Sequence, residues 1–118
     1  MPTTWEACHE RRQKLSLNLF NHTDINKGVE EWKSTSDAVL LDVRTKEEYN
    51  DYHIEGSVNI PLDNLSAVNQ RIADKNTPIF VHCLSGARSA DAARYLKAQG
   101  YNSVKDIGGI NAYMGEVV

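Results

Sequence analysis

The chain has little of what several functional classes require. Its 118 residues include two cysteines and three prolines, and aromatics make up 8%. Two sulfurs allow one disulfide at most, and Cys8 and Cys83 stand in unlike surroundings, so both are read as reduced thiols. Long apolar runs are missing too. Ala38 to Leu41 and Pro78 to Val81 are strand-sized, against the roughly 20 residues that span a bilayer, so no membrane partner is expected. The opening MPTTWEACHERRQKL gathers charge where an export signal would carry its apolar segment; no such signal is read there, and a cytoplasmic location is expected. Neither sign of charge dominates. A formal net charge of -3 with acids and bases interspersed offers no basic face for nucleic acid. His9, His22 and His53 lack metal-ligand spacing, so neither a metal nor a cofactor is expected.

What is present reads as one globular domain. The hydrophobic fraction of 41% and charged fraction of 25% are ordinary, and the length suits a single core. Residues 1–19 show no clean period and read as an N-terminal arm or extra helix, with the basic cluster Arg11, Arg12 and Lys14 as a solvated face; the domain proper runs over 20–118. A helix is predicted after Thr23 or Asp24, with Ile25, Val29 and Trp32 on its apolar side. Ala38 to Leu41 reads as a strand buried on both faces, and Pro78 to Val81 as a second. Between them, Thr45 and Glu48 have capping-box spacing and open a short helix to about Tyr52. Ile54 to Pro61 suggests a turn and a brief extended piece, and another helix is predicted over Leu62 to Ile72. Ser89 to Gln99 reads as a helix ending at Gly100, followed by a small strand near Ser103 to Ile107 and a short amphipathic tail with Tyr113 and Met114. Strands alternating with helices predict an α/β fold, a parallel sheet covered on both faces.

One loop carries most of the chemical signal. His82-Cys83-Leu84-Ser85-Gly86-Ala87-Arg88-Ser89 joins a buried strand to the start of a helix, where open parallel sheets hold their ligands. A thiol at that point faces the unpaired amides and positive end of the helix, and Gly86 permits the bend that turns successive amides inward. Such a nest favours an anion, so Cys83 is the candidate nucleophile and the backbone of Leu84, Ser85, Gly86 and Ala87 the candidate substrate cradle. Arg88 keeps its charge at any physiological pH and is the second catalytic candidate, with a loop carbonyl, a carboxylate or an incoming anion as its partner. His82 precedes Cys83 at a strand end and is expected to point away from it.

The segments Leu41 to Tyr49, His53 to Pro61, Cys83 to Arg88 and Gly108 to Tyr113 together resemble the single-domain rhodanese family, over a stretch from about Phe20 to Met114. Leu41-Asp42-Val43-Arg44 with Glu47, Glu48 and Tyr49 is similar to its Asp-Val-Arg segment. His53-Ile54-Glu55-Gly56-Ser57-Val58-Asn59-Ile60-Pro61 is similar to its His-Ile-x-Gly-Ala segment, with Ser57 in place of the usual Ala. Cys83 to Arg88 resembles the active-site loop, and Gly108-Gly109-Ile110-Asn111-Ala112-Tyr113 the closing motif, with Tyr113 for Trp. The resemblance implies a five-stranded parallel sheet and transfer of sulfane sulfur through a Cys83 persulfide, from a small sulfur-containing anion such as thiosulfate to cyanide, a thiol or a protein acceptor. It also implies that Asp42 and Arg44 support the loop, that Arg44 pairs with a carboxylate such as Glu48, and that His53 is structural. The alternatives are a non-turnover persulfide carrier or anion-binding module, and phosphatase or arsenate reductase chemistry. The last is disfavoured because the loop is one residue shorter than those that cradle a phosphoryl group. Cys8 lies outside every motif.

Overall fold

Asp24 starts the first helix of the described residues by accepting the Asn26 amide at 3.1 Å, so an otherwise orphaned donor is satisfied. The computed structural model describes residues 24–118; the arm or extra helix expected over residues 1–19 and Cys8 lie outside the described residues. The elements run α1 (Ile25–Lys33), β1 (Val39–Asp42), α2 (Lys46–Asp51), β2 (Val58–Asn59), a 3-10 stretch (Leu62–Ala67), α3 (Val68–Arg71), β3 (Ile79–Cys83), α4 (Ala87–Ala98), β4 (Val104–Gly109) and a closing 3-10 turn (Ile110–Ala112). The capping box is formed as predicted. Thr45 Oγ1 accepts the Glu48 amide at 3.1 Å and Glu48 Oε1 accepts the Thr45 amide at 2.9 Å.

The strands form a parallel sheet in the order β2-β1-β3-β4. Among the described residues the sheet has four strands, not five, because residues 24–118 contain only four extended segments that pair. β2 is no more than two residues long, held to β1 at Leu41 and Asp42. The helix expected over Leu62 to Ile72 is also broken. It begins as a 3-10 stretch behind Pro61 and leaves helical geometry at Asn64, at φ -123° and ψ 28°, before the short α3.

Alternation along the strands divides the core into two clusters, one on each face. Leu41, Val43, Val81 and Cys83 pack with Leu65, Val68, Ala92 and Leu96 on the α3–α4 side. Leu40 and Phe80 pack with Ile25, Val29, Ile107 and Ile110 on the α1 side. With β1 and β3 buried on both faces, the C-terminal end of β3 becomes a fixed platform for whatever follows it.

Among the described residues two buried side-chain atoms lack a hydrogen-bond partner, Ser57 Oγ and His82 Nε2. Ser57 is 8% exposed and its hydroxyl has no hydrogen-bond partner among the described residues. A buried unpaired hydroxyl costs about 1–3 kcal/mol. Ser57→Ala is therefore expected to raise unfolding free energy by about 1 kcal/mol, read as a higher urea midpoint at unchanged slope.

Candidate functional site

Cys83 is the last residue of β3, and the loop after it turns at Gly86, whose φ of 113° lies in the left-handed region that glycine tolerates. Gly86 then serves as N-cap of α4. The turn brings the Gly86 amide to 3.0 Å from Cys83 Sγ, a donor aimed at the sulfur. The first-turn amides of α4 have no intrahelical partner, so the ground around the sulfur favours negative charge. Cys83 itself is fully buried, Leu84, Gly86 and Arg88 are half-buried, and Ser85 and Ala87 are exposed. Anything that reacts with the sulfur must displace loop atoms that cover it.

Arg88 does not face the sulfur with a free charge. Its guanidinium forks onto Glu48 of α2, Nη1 donating to Oε1 at 2.8 Å and Nη2 to Oε2 at 3.2 Å. That hydrogen bond, partly opposed by desolvation and aided by Thr45, holds the Glu48 carboxyl at about 2 against an ordinary 4.5. Arg88 is pushed up in return, chiefly by the same hydrogen bond. Between about 4.5 and about 2 the unfolded chain binds a proton that the folded chain refuses, so this contribution to stability is full above the upper value and lost toward the lower. Urea midpoints at about pH 6 and about pH 3 are expected to fall further for the parent than for Glu48→Gln.

The expected partner of Arg44 is corrected by the same geometry. With Glu48 taken by Arg88, Arg44 pairs with Asp42, which lies two residues away and so on the same side of an extended backbone. Arg44 Nε lies 3.1 Å from both carboxylate oxygens, Nη2 donates to Oδ2 at 2.8 Å, and a further bond at 2.7 Å goes to the Tyr52 carbonyl. Both side chains are essentially without exposure. None of these bonds reaches residues 84–88. His82 lies on the opposite face from Cys83: its Nε2 is 3.9 Å from Asp42 Oδ2 and its Nδ1 is 3.2 Å from the Cys83 carbonyl. Burial pushes the His82 pKa down, so the ring stays neutral near pH 7. His53 stacks on Tyr49 at 3.8 Å and bonds its carbonyl.

The loop's direct supports are residues to which sequence reasoning assigned no role. Ser89, fully buried, places its hydroxyl 3.6 Å from Cys83 Sγ and 2.7 Å from Asp106 Oδ1. Asp106 also accepts the Gly108 amide at 3.0 Å, within a shift of register in which Val81 pairs Asp106 but Cys83 pairs Gly109. Gly109 then runs so close to the loop that an added Cβ would lie 2.6 Å from Ser85 Cα and 2.7 Å from the Leu84 carbonyl carbon. Asn111 donates its amide to the Leu84 carbonyl at 3.1 Å. The paired glycines were visible as a motif, but no local spacing signals that Ser89 and Asp106, 17 positions apart, meet beneath a cysteine. Among the described residues no cluster of His, Cys, Asp and Glu could hold a metal ion, and no helix is long and apolar enough to cross a membrane.

Comparison with known proteins agrees with this geometry. A model of the rhodanese-like domain matches residues 26–116. A thiosulfate sulfurtransferase GlpE of Shewanella oneidensis is 32% identical over 98 residues, covering 82% of this chain and 95% of that protein. An adenylyltransferase and sulfurtransferase UBA4 of Meyerozyma guilliermondii is 38% identical over 111 residues, but the match covers 26% of its length and 86% of this chain. This chain therefore spans about a quarter of that relative. Among solved structures, a rhodanese with anions from E. coli is 32% identical with a TM-score of 0.64, covering 69% of this chain and 96% of that one.

Proposed function

This chain belongs to the rhodanese-like domain family, and from that premise we propose that it is a sulfurtransferase working through a persulfide on Cys83. The observation that carries the proposal is the Cys83 sulfur at the end of β3, with the Gly86 amide directed at it from 3.0 Å at the head of α4. The Cys83 thiolate attacks the outer sulfur of a donor such as thiosulfate. The new S–S bond forms as the donor's own S–S bond breaks, and sulfite leaves with the electron pair. An acceptor nucleophile, cyanide or a thiol, then takes the outer sulfur and returns the thiolate.

Because Arg88 is committed to Glu48, holding the anionic persulfide falls to the amides from Leu84 to Arg88. Hydrogen bonds to a charged group contribute about 1.5–3 kcal/mol each, so two or three are enough to stabilise the stored anion. A neutralised Arg88 also argues against phosphoryl chemistry, in which a free guanidinium would face the substrate oxygens. The chemistry requires a reduced thiol, which suits a cytoplasmic setting. The name of the GlpE relative, a thiosulfate sulfurtransferase, supports thiosulfate as donor, and that of the UBA4 relative supports sulfur transfer in general.

The alternative, a carrier that stores sulfur without turning over, is favoured by one observation, the complete burial of Cys83. Intact mass and turnover measured together separate the two. Incubation with thiosulfate and removal of excess donor is expected to add one sulfur atom to the protein, removed by cyanide as thiocyanate, and the cycle is expected to repeat many times per chain. Loading without repeated turnover would favour the carrier. No loading with thiosulfate, mercaptopyruvate or polysulfide would overturn the persulfide.

A further inference from the structure

We propose that Ser89 and Asp106 form the exit path for the proton of the Cys83 thiol. The inference rests on Cys83 being the nucleophile and concerns how it is activated. A fully buried thiol has no surface from which water can remove its proton. Among the described residues Cys83 Sγ makes two hydrogen-bond contacts, one to the Gly86 amide at 3.0 Å and one to Ser89 Oγ at 3.6 Å. An amide N–H only donates. The Ser89 hydroxyl is thus the one neighbour in that set able to accept the thiol proton, and it is itself buried, so it must pass a proton on.

The next group is in position. Ser89 Oγ lies 2.7 Å from Asp106 Oδ1, and Asp106 is half-buried on β4, in reach of solvent. The transfer balances: the thiol proton moves to Ser89 Oγ, the hydroxyl's own proton moves to the Asp106 carboxylate, and Asp106 releases it to water. Cys83 is left as the thiolate that forms the S–S bond. The hydroxyl has other acceptors, the Gly86 carbonyl at 3.1 Å and the Gly108 carbonyl at 3.4 Å, which keep it oriented while the proton passes. Ser89 touches the reacting sulfur; Asp106 acts through it as a positioning residue.

Most of the other ionisable groups on the elements around Cys83 are engaged elsewhere; among the described residues Tyr95 and Lys97 of α4 are not, and neither bonds Sγ. Asp42 binds Arg44, Arg88 binds Glu48, Lys105 binds Glu31, and Asp91 binds Arg94. His82 is on the far face, beside Asp42. None of them makes a hydrogen bond to Sγ, so none competes with Ser89 for the proton.

The test is single-turnover sulfur loading from thiosulfate as a function of pH, for the parent, Ser89→Ala, Ser89→Thr and Asp106→Asn. Proton transfer by a positioned group contributes about a hundredfold or more. Ser89→Ala is expected to load about a hundredfold more slowly near neutrality and to recover toward high pH, while Ser89→Thr, which keeps the hydroxyl, loads close to the parent rate. Asp106→Asn preserves the oxygen that Ser89 and Gly108 use but accepts no proton, so it is expected to slow loading to a similar degree. It keeps the test decisive if Ser89→Ala does not fold. Loading of Ser89→Ala and Asp106→Asn at the parent rate and with the parent pH profile would overturn the relay while leaving the persulfide intact. A parent that does not load at all would instead defeat the underlying function.

Discussion

Cys83→Ser is expected to lose thiosulfate-to-cyanide transfer by at least about a thousandfold while remaining folded. Removal of a nucleophile deletes the step through which every turnover passes, and the amides that remain have no sulfur to hold. The fold should survive because the replacement is smaller and keeps a polar partner. A serine hydroxyl there accepts from the Gly86 amide, and an unpaired buried O–H costs about 1–3 kcal/mol, less than the about 5–15 kcal/mol of a domain's stability. Steady-state thiocyanate formation gives the first reading and thermal unfolding the second. A variant that still transfers sulfur at the parent rate would remove Cys83 from the mechanism.

The largest effect on stability is expected at a different place. Asp42→Asn should cost about 3–5 kcal/mol, because it leaves the Arg44 guanidinium buried with no opposing charge. Against a domain stability of about 5–15 kcal/mol, that is enough to move the urea midpoint markedly. The pair bridges the end of β1 and, through the Tyr52 carbonyl, the end of α2, so its loss loosens the connection that carries Glu48 toward the active loop. Replacing both partners, Asp42→Leu with Arg44→Met, is expected to cost less than Asp42→Asn alone, since no charge is then stranded. Equal losses would mean that the stranded Arg44 charge is not what makes Asp42→Asn costly.

The parts of this molecule written in local signals were legible in the sequence. β1 and β3 showed as apolar runs, α1 through a cap at Thr23 or Asp24, and α2 through its capping box. The cysteine loop stood out because strand, glycine turn and helix follow one another in eight residues. What stayed hidden depends on partners distant in sequence. Two arginines and two acids lie near the site, and nothing in their spacing says that Arg88 takes Glu48 and leaves Asp42 to Arg44. A serine at the start of a helix reads as a cap, so the meeting of Ser89 with Asp106 required the register shift between β3 and β4 to be seen. β2, two residues long, is too short to carry a periodic signal of its own. The count of five strands came from resemblance alone, and residues 24–118 pair only four.

The burial of Cys83 has a consequence for how long the protein stays active. Oxidation of a cysteine through sulfenic to irreversible sulfinic and sulfonic acids depends on thiolate character and on access. Here the two are separated. The Gly86 amide is directed at the sulfur, while burial leaves no surface for peroxide to approach. A sulfur kept under its own loop is therefore expected to be oxidised by peroxide more slowly in the folded chain than in the unfolded one.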